Sequence, residues 1–331
     1  MSSSEVASWQ TTFAYSAALT LVAVSTVMFL HSWLFSKPRY DFHGKHVLIT
    51  GGTKGLGLAL AKRLAVNQQA QVTVCARTER DLNETTRAIR EAFAEDHFGR
   101  VQGIVCDVTD ADQVEKMIAS AEGAFGPISV LICCAGQALP GHFVEQSVED
   151  FKRQIELNYV GSLLPTHKVV KNMVERKQKD GKIIFVASQA ALMSMAGYAA
   201  YSPSKFAVRG LAEALRHELL PHQIDVHIAF PGNMNSPGYE VEQRTKPAVT
   251  KKIEAGESLH DPLDVAIATL DSISKGEFAI YGGNFSGYFL GRMARGLAPY
   301  GNHLLLDMLI APILVIVAFA HRKYIIDKAH F

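Results

Sequence analysis

The sequence predicts an α/β fold, a doubly wound parallel sheet forming a single domain between two hydrophobic ends. Three observations carry the prediction. Between residues 37 and 281 the short apolar runs HVLIT, QVTVCA, VQGIVCDV, SVLICCAG, KIIFVAS and DVHIAFPG alternate with longer helix-like stretches, the rhythm of a parallel sheet wrapped on both faces. Each run is apolar throughout rather than on alternate residues, as strands covered on both sides are. The first run leads straight into a glycine-rich turn and an alanine-rich helix, a junction suited to binding phosphate. No repeat, low-complexity tract or linker divides the region. The expected division is a membrane anchor over 1–36, the folded domain over 37–281 with a substrate loop at 233–260, and a membrane-associated segment over 282–331.

Composition removes some function classes. At 331 residues and 48% hydrophobic content the chain can bury a sizeable core. A net charge of +1 without a long basic run lacks the footprint of a nucleic-acid binder. Cys75, Cys106, Cys133 and Cys134 lack the paired spacing of a zinc site, so no metal is expected, and adjacent cysteines rarely bridge. Reduced thiols facing the cytosol are the expectation.

The first element is the anchor. Residues 13–35 form a stretch of 23 without Lys, Arg, Asp or Glu, about 35 Å long as a helix against a bilayer core of about 30 Å. A cleaved signal peptide has a shorter apolar core and a small-residue cleavage site, whereas SWLFSKPRY follows here. Lys37, Arg39 and Lys45 follow the stretch and only Glu5 precedes it, which places the rest of the chain in the cytosol. At the other end, residues 304–324 are apolar but interrupted by Asp307 and Pro312, and fit a span, a re-entrant helix or an interfacial helix. The preceding YFLGRMARGLAPY, with Arg292 and Arg295 among apolar residues, suits a helix lying at a membrane surface.

Within the domain the turn after HVLIT reads GGTKGLG, with Gly51, Gly55 and Gly57 at the strand-to-helix junction. Small residues let backbone approach a pyrophosphate while the helix start offers N–H groups. The second run ends at Arg77, where a sheet that prefers NAD carries an acid for the ribose hydroxyl. Arg77 together with Lys54 in the glycine turn favours a 2′-phosphate and hence NADPH. Asp107, closing the third run, fits either the adenine amino group or a plain loop carboxylate.

Further on come Asn158, Ser188, YSPSK at 201–205 and Pro231-Gly232. With T50GGTKGLG these motifs, in this order and spacing, resemble the short-chain dehydrogenase/reductase family over residues 43–280. The resemblance implies a Rossmann-type fold and a nicotinamide cofactor held by Gly51, Thr53, Lys54, Gly55, Leu56, Gly57, Arg77, Asp107, Val108, Ala135, Gly136, Pro231, Gly232 and Ser236. It further implies that Ser188 bonds the substrate carbonyl, Tyr201 protonates it, Lys205 holds the nicotinamide ribose and lowers the phenol's pKa, and Asn158 anchors a water relay. The chemistry agrees: a ketone receiving hydride develops alkoxide character and needs a donor on its oxygen. A free phenol titrates near ~10, and a cation one helical turn away can tune it. Pro203 requires the helix to begin within a few residues of Tyr201. The family's usual Asn-Asn-Ala-Gly is here C133CAG136, which removes side-chain amides from the end of the fourth strand.

The loop NMNSPGYEVEQRTKP after Pro231-Gly232 resembles that of the branch of the family that reduces 3-ketodihydrosphingosine, a long-chain lipid ketone, at the cytosolic face of the endoplasmic reticulum. Glu240 or Glu242 would then meet the substrate's amino group, and a membrane-bound enzyme could take such a ketone from the bilayer. A steroid or retinoid reductase and a non-catalytic NADPH binder are the other readings. Relatives commonly pair through the helix at residues 201–220, so a homo-oligomer is expected.

Overall fold

The computed structural model describes residues 38–92, 100–294 and, further on, 313, 316 and 317. The expected anchor at 13–35, most of 304–324 and Arg295 lie outside them. Among the described residues no helix is long and apolar enough to cross a membrane.

All six apolar runs contain strands: β1 (His46–Thr50), β2 (Gln71–Ala76), β3 (Val101–Val105), β4 (Val130–Cys133), β5 (Gly181–Val186) and β6 (Ile224–Ala229). A seventh, β7 (Ala279–Ile280), is too short to leave a sequence pattern. The helices, in chain order, are α1 (Gly55–Lys62), α2 (Glu79–Arg90), α3 (Ala111–Phe125), α4 (Val148–Ile155), α5 (Gly161–Glu175), α6 (Tyr201–Glu218), α7 (Pro237–Thr245), α8 (Ala248–Ile253), α9 (Pro262–Ser274) and α10 (Phe285–Met293). The seven strands are parallel, in the order β3-β2-β1-β4-β5-β6-β7. The chain therefore winds outward from β1, returns across it and winds the other way. Such a reversal opens a crevice at the carboxyl ends of β1 and β4, where sheets of this kind bind ligands.

Successive side chains of a strand point to opposite faces, and each face has its own core. Val47, Ile49, Val72 and Val74 pack with residues of α1, α2 and α9. Leu48, Leu131, Ile183 and Phe185 pack with α3, α5 and α6. Continuous apolar runs follow from this double cover. Edge strand β3 departs from it, with Gly103 exposed and Val105 51% exposed.

The folded body continues beyond the expected boundary at Tyr281. In α10, Leu290 packs on the core and Tyr288 meets the Tyr281 ring at 5.8 Å. The headgroup-facing arginine expected here is not found at position 292. Arg292 is 4% exposed, its guanidinium lies 4.4 Å from the Tyr288 ring centroid and it donates to the Tyr288 hydroxyl. A planar, weakly hydrated cation stacked on an aromatic ring can be buried in this way.

At the crevice Thr50 is fully buried, and its Oγ1 accepts the amides of Cys134 at 3.1 Å and Ala135 at 3.2 Å. Thr50→Val leaves both amides without that acceptor. It should lower unfolding stability by about 1–3 kcal/mol, read as a shifted urea midpoint at unchanged slope.

Candidate active site

A cavity of about 540 Å³ lies at the crevice between the ends of β1 and β4. Its floor is the glycine turn. Gly51 has a φ of +66°, and a Cβ there would stand 2.7 Å from the Cα of Ala135, so only glycine lets β1 leave the sheet this close to β4. At Gly57 a Cβ would meet the carbonyl oxygen of Gly51 at 2.3 Å, so the first turn of α1 rests directly on the loop. Where α3, α7, α9 and α10 begin with side-chain caps from Asp110, Ser236, Asp261 and Asn284, α1 begins at Lys54 with none. Its first amides are left for another acceptor, which fits a pyrophosphate.

Thr53, Lys54, Gly55, Leu56, Arg77, Val108, Ala135 and Gly136 line the same cavity. Arg77 is exposed at the end of β2. Lys54, expected to share a phosphate with it, instead pairs with Asp81 at 2.6 Å, a carboxylate of α2 that lies too far along the chain for its spacing to announce. Asp107 does not line the cavity. Its Oδ1 accepts the amide and the hydroxyl of Thr109 at 3.0 Å and 2.8 Å, the role of a loop carboxylate.

Cysteines replace the usual asparagines without loss of order. Cys133 is buried, with its Sγ 3.6 Å from the Ser162 carbonyl and 3.4 Å from the Thr166 hydroxyl. Burial pushes the Cys133 thiol up to about 12 and that of Cys134 to about 11, which makes them poor nucleophiles. Lys205 is near enough to draw both downward, a proximity absent from the local sequence.

The candidate catalytic face is assembled from the end of β5 and the start of α6. Ser188 follows β5, where its Oγ accepts the amide of Ala190 at 3.1 Å, and it lies near enough to the Tyr201 phenol to draw its pKa down. Tyr201 is the first residue of α6, with Pro203 in the opening turn. Lys205, one turn on, is 5% exposed and donates to the Val186 carbonyl at 3.0 Å. Burial lowers its pKa to about 8, against the opposing influence of Cys134 and Cys133.

Lys205 lies beside the Tyr201 ring. Its Nζ is turned to the Val186 carbonyl and lies 5.8 Å from the Tyr201 ring centroid. Burial first, then the charge of Glu242, hold the phenol well above its ordinary value, while Ser188 pulls it down. Asn158 stands behind the cavity surface. It is fully buried in a π-helical turn, Glu156–Val160, and does not line the cavity. Its Oδ1 accepts the amide of Gln137 at 2.9 Å, and its Nδ2 donates to the Gln137 carbonyl at 3.1 Å and to Ser204 at 2.9 Å. Its side chain therefore ties the loop after β4 to α6.

The far wall comes from Pro231, Gly232 and the loop beyond. Pro231 accepts the amide of Gln189 at 3.1 Å. Ser236 caps α7, its Oγ accepting the Tyr239 amide at 3.2 Å, and packs directly beside Gly55. Glu242 lines the cavity and Glu240 is exposed outside it. Tyr198, Gln189 and Glu254 also line this region, and no motif spacing marks them; Lys246, within the loop motif, pairs with Glu242 four residues before it.

Comparison with known proteins gives a consistent picture. A family model described as short chain dehydrogenase matches residues 45–247. A 3-dehydrosphinganine reductase of Danio rerio is 38% identical over 283 residues, 85% of this chain and 84% of that protein. A 3-ketodihydrosphingosine reductase of Cryptococcus neoformans is 39% identical over 263 residues, 78% of this chain and 77% of that protein. Among solved structures, a short chain dehydrogenase/reductase from Burkholderia phymatum in complex with NAD has a TM-score of 0.66 at 25% identity, covering 74% of this chain and 90% of that one. An actinorhodin polyketide ketoreductase variant with NADPH has a TM-score of 0.63 at 29% identity, covering 72% and 96%.

At Gly136 an added Cβ would stand 2.8 Å from Asn158 Oδ1 and 3.2 Å from Lys205 Nζ. Gly136→Ala should displace both and reduce turnover by at least about tenfold while the chain remains folded, checked by kcat and by circular dichroism.

Proposed function

We propose that this chain, which belongs to the short chain dehydrogenase family, reduces 3-ketodihydrosphingosine (3-ketosphinganine) to dihydrosphingosine (sphinganine) with NADPH, a step of sphingolipid synthesis. One observation carries the reading: Ser188 and Tyr201 line a single cavity that is continuous with an uncapped glycine cradle. Relatives named for this reaction match over most of the chain.

A bound reduced nicotinamide would supply the hydride. Ser188 and Tyr201 present donors to the carbonyl oxygen, in a buried setting where such donors act most strongly on developing charge. Tyr201 then gives up its phenolic proton, so that its O–H bond breaks as that of the product alcohol forms. Because burial and Glu242 raise its pKa, the phenol enters the step protonated, as a reduction requires. Lys205, one turn along α6, is the cation placed to stabilise the phenolate left behind. Arg77 is the exposed cation we assign to the 2′-phosphate of NADPH, with Lys54 shared with Asp81.

We assign the enzyme to the endoplasmic reticulum membrane, with its catalytic domain facing the cytosol. The apolar stretch at 13–35 and the cations that follow it support this, as does a substrate that partitions into lipid. We further assign a homo-oligomer paired through α6, on which Phe206 is 40% exposed.

Turnover of 3-ketodihydrosphingosine against a steroid ketone, each with NADPH and NADH, tests the reading; preference for the steroid would overturn it. Tyr201→Phe should lower kcat by about 10²–10⁴-fold while the Kd for NADPH, from fluorescence titration, stays within about threefold. Arg77→Asp should reduce the ratio of kcat/KM for NADPH over NADH by roughly 10–100-fold, since it replaces a phosphate partner by a like charge.

A further inference from the structure

The cavity carries a second polar cluster that the hydride and proton steps do not use. Lys246, whose side chain is fully buried, is gripped by Glu242 at 2.8 Å and Glu254 at 2.6 Å. The Tyr198 hydroxyl oxygen lies 2.5 Å from Glu242 Oε1 and 2.8 Å from Glu254 Oε1. The Lys246 ammonium also lies 5.6 Å from the Tyr198 ring centroid and 5.2 Å from that of Tyr239. Burial draws this ammonium down, but the two carboxylates more than offset that and hold it above its usual range. Its charge is thus used inside the cluster.

Two deficits remain. Two carboxylates against one ammonium leave a negative charge in excess on a largely dehydrated wall. Tyr198 has a single hydroxyl proton for two carboxylate oxygens, so one of its short contacts lacks a hydrogen. A ligand group bringing positive charge and N–H donors meets both needs. A separate observation also points to a ligand: Gln189, in the wall of the same cavity and 9% exposed, has an amide Nε2 with no acceptor among the described residues. The cavity wall therefore combines an excess of acceptors with an unmet buried donor.

The cluster adjoins the reacting oxygen. The Tyr198 and Tyr201 rings are 5.7 Å apart. We propose that Glu242 and Glu254, positioned by Lys246 and Tyr198, form the subsite for the ammonium group of an α-amino ketone, beside the carbonyl held by Ser188 and Tyr201. The proposal rests on the reading of the substrate as 3-ketodihydrosphingosine, whose amine is on the carbon next to the ketone. A neutral ketone leaves the buried charge unmet, and the cluster thereby discriminates against it. The docked ammonium also counters the hold of Glu242 on the Tyr201 proton, so the correct substrate eases its own protonation.

The test measures kcat/KM of the full-length enzyme with NADPH on 3-ketodihydrosphingosine and on the same ketone lacking only the amino group. Glu242→Gln and Glu254→Gln are compared with wild type, and thermal melting reports folding. Wild type should favour the amino ketone by roughly 10–100-fold, and each variant should shrink that ratio by about tenfold or more. An unchanged ratio in the folded variants, or no preference in wild type, overturns the subsite. Should Glu242→Gln fail to fold, the ratio in Glu254→Gln and Tyr198→Phe decides. Wild type that reduces the neutral ketone but not the amino ketone sinks the substrate reading itself, whereas equal use of both sinks only the subsite.

Discussion

The close approach of β1 to β4 at their carboxyl ends is the constraint on which the rest of this molecule depends. Gly51 lies so near Ala135 that no side chain fits between them, and the buried Thr50 hydroxyl joins the two strand ends. With the strands held there, the turn of chain direction that opens the crevice occurs beside the amino end of α1. The glycine turn and the Ser188, Tyr201 and Lys205 side chains then fall on one cavity instead of two.

The catalytic groups occupy a setting that is costly for them. Tyr201 and Lys205 are pushed by burial towards their neutral forms, and each is kept useful by a specific partner. Ser188 draws the phenol's proton affinity back down, and the Val186 carbonyl holds the lysine in place. Asn158 acts further back, binding the Gln137 loop to the start of α6. The π-helical turn that carries it is the sort of local irregularity found where a helix must aim one side chain. Glu242 links this machinery to the loop beyond Gly232, since the same carboxylate that braces Lys246 also acts on Tyr201.

Much of the fold was legible because double burial writes itself into strands as unbroken apolar runs, and because Pro203 can stand only near a helix start. β7 was not legible: two residues carry no period. The arrangement of Arg292 was misread, since an arginine among apolar residues looks alike whether it reaches for lipid headgroups or folds back onto Tyr288. Lys54 looked like a phosphate ligand from its place in the glycine turn, but Asp81, delivered by the first turn of α2, takes it up. The Cys133 and Cys134 pair looked like a weak point, yet Thr50 and Ser162 supply the order that asparagines would have brought.

What the sequence by itself determined was the order of strands and helices, the glycine turn, and the catalytic types at Ser188, Tyr201 and Lys205, because each depends on local pattern or on motifs read in line. What only the tertiary structure decided was the company these residues keep. Tyr198 with Glu254 and Glu242, Lys54 with Asp81 and Asn158 with Gln137 meet through folding of separate segments. Electrostatic and hydrogen-bond energies depend on distance in space and on burial, and most such distances are fixed only once the sheet has closed and its loops have packed over it.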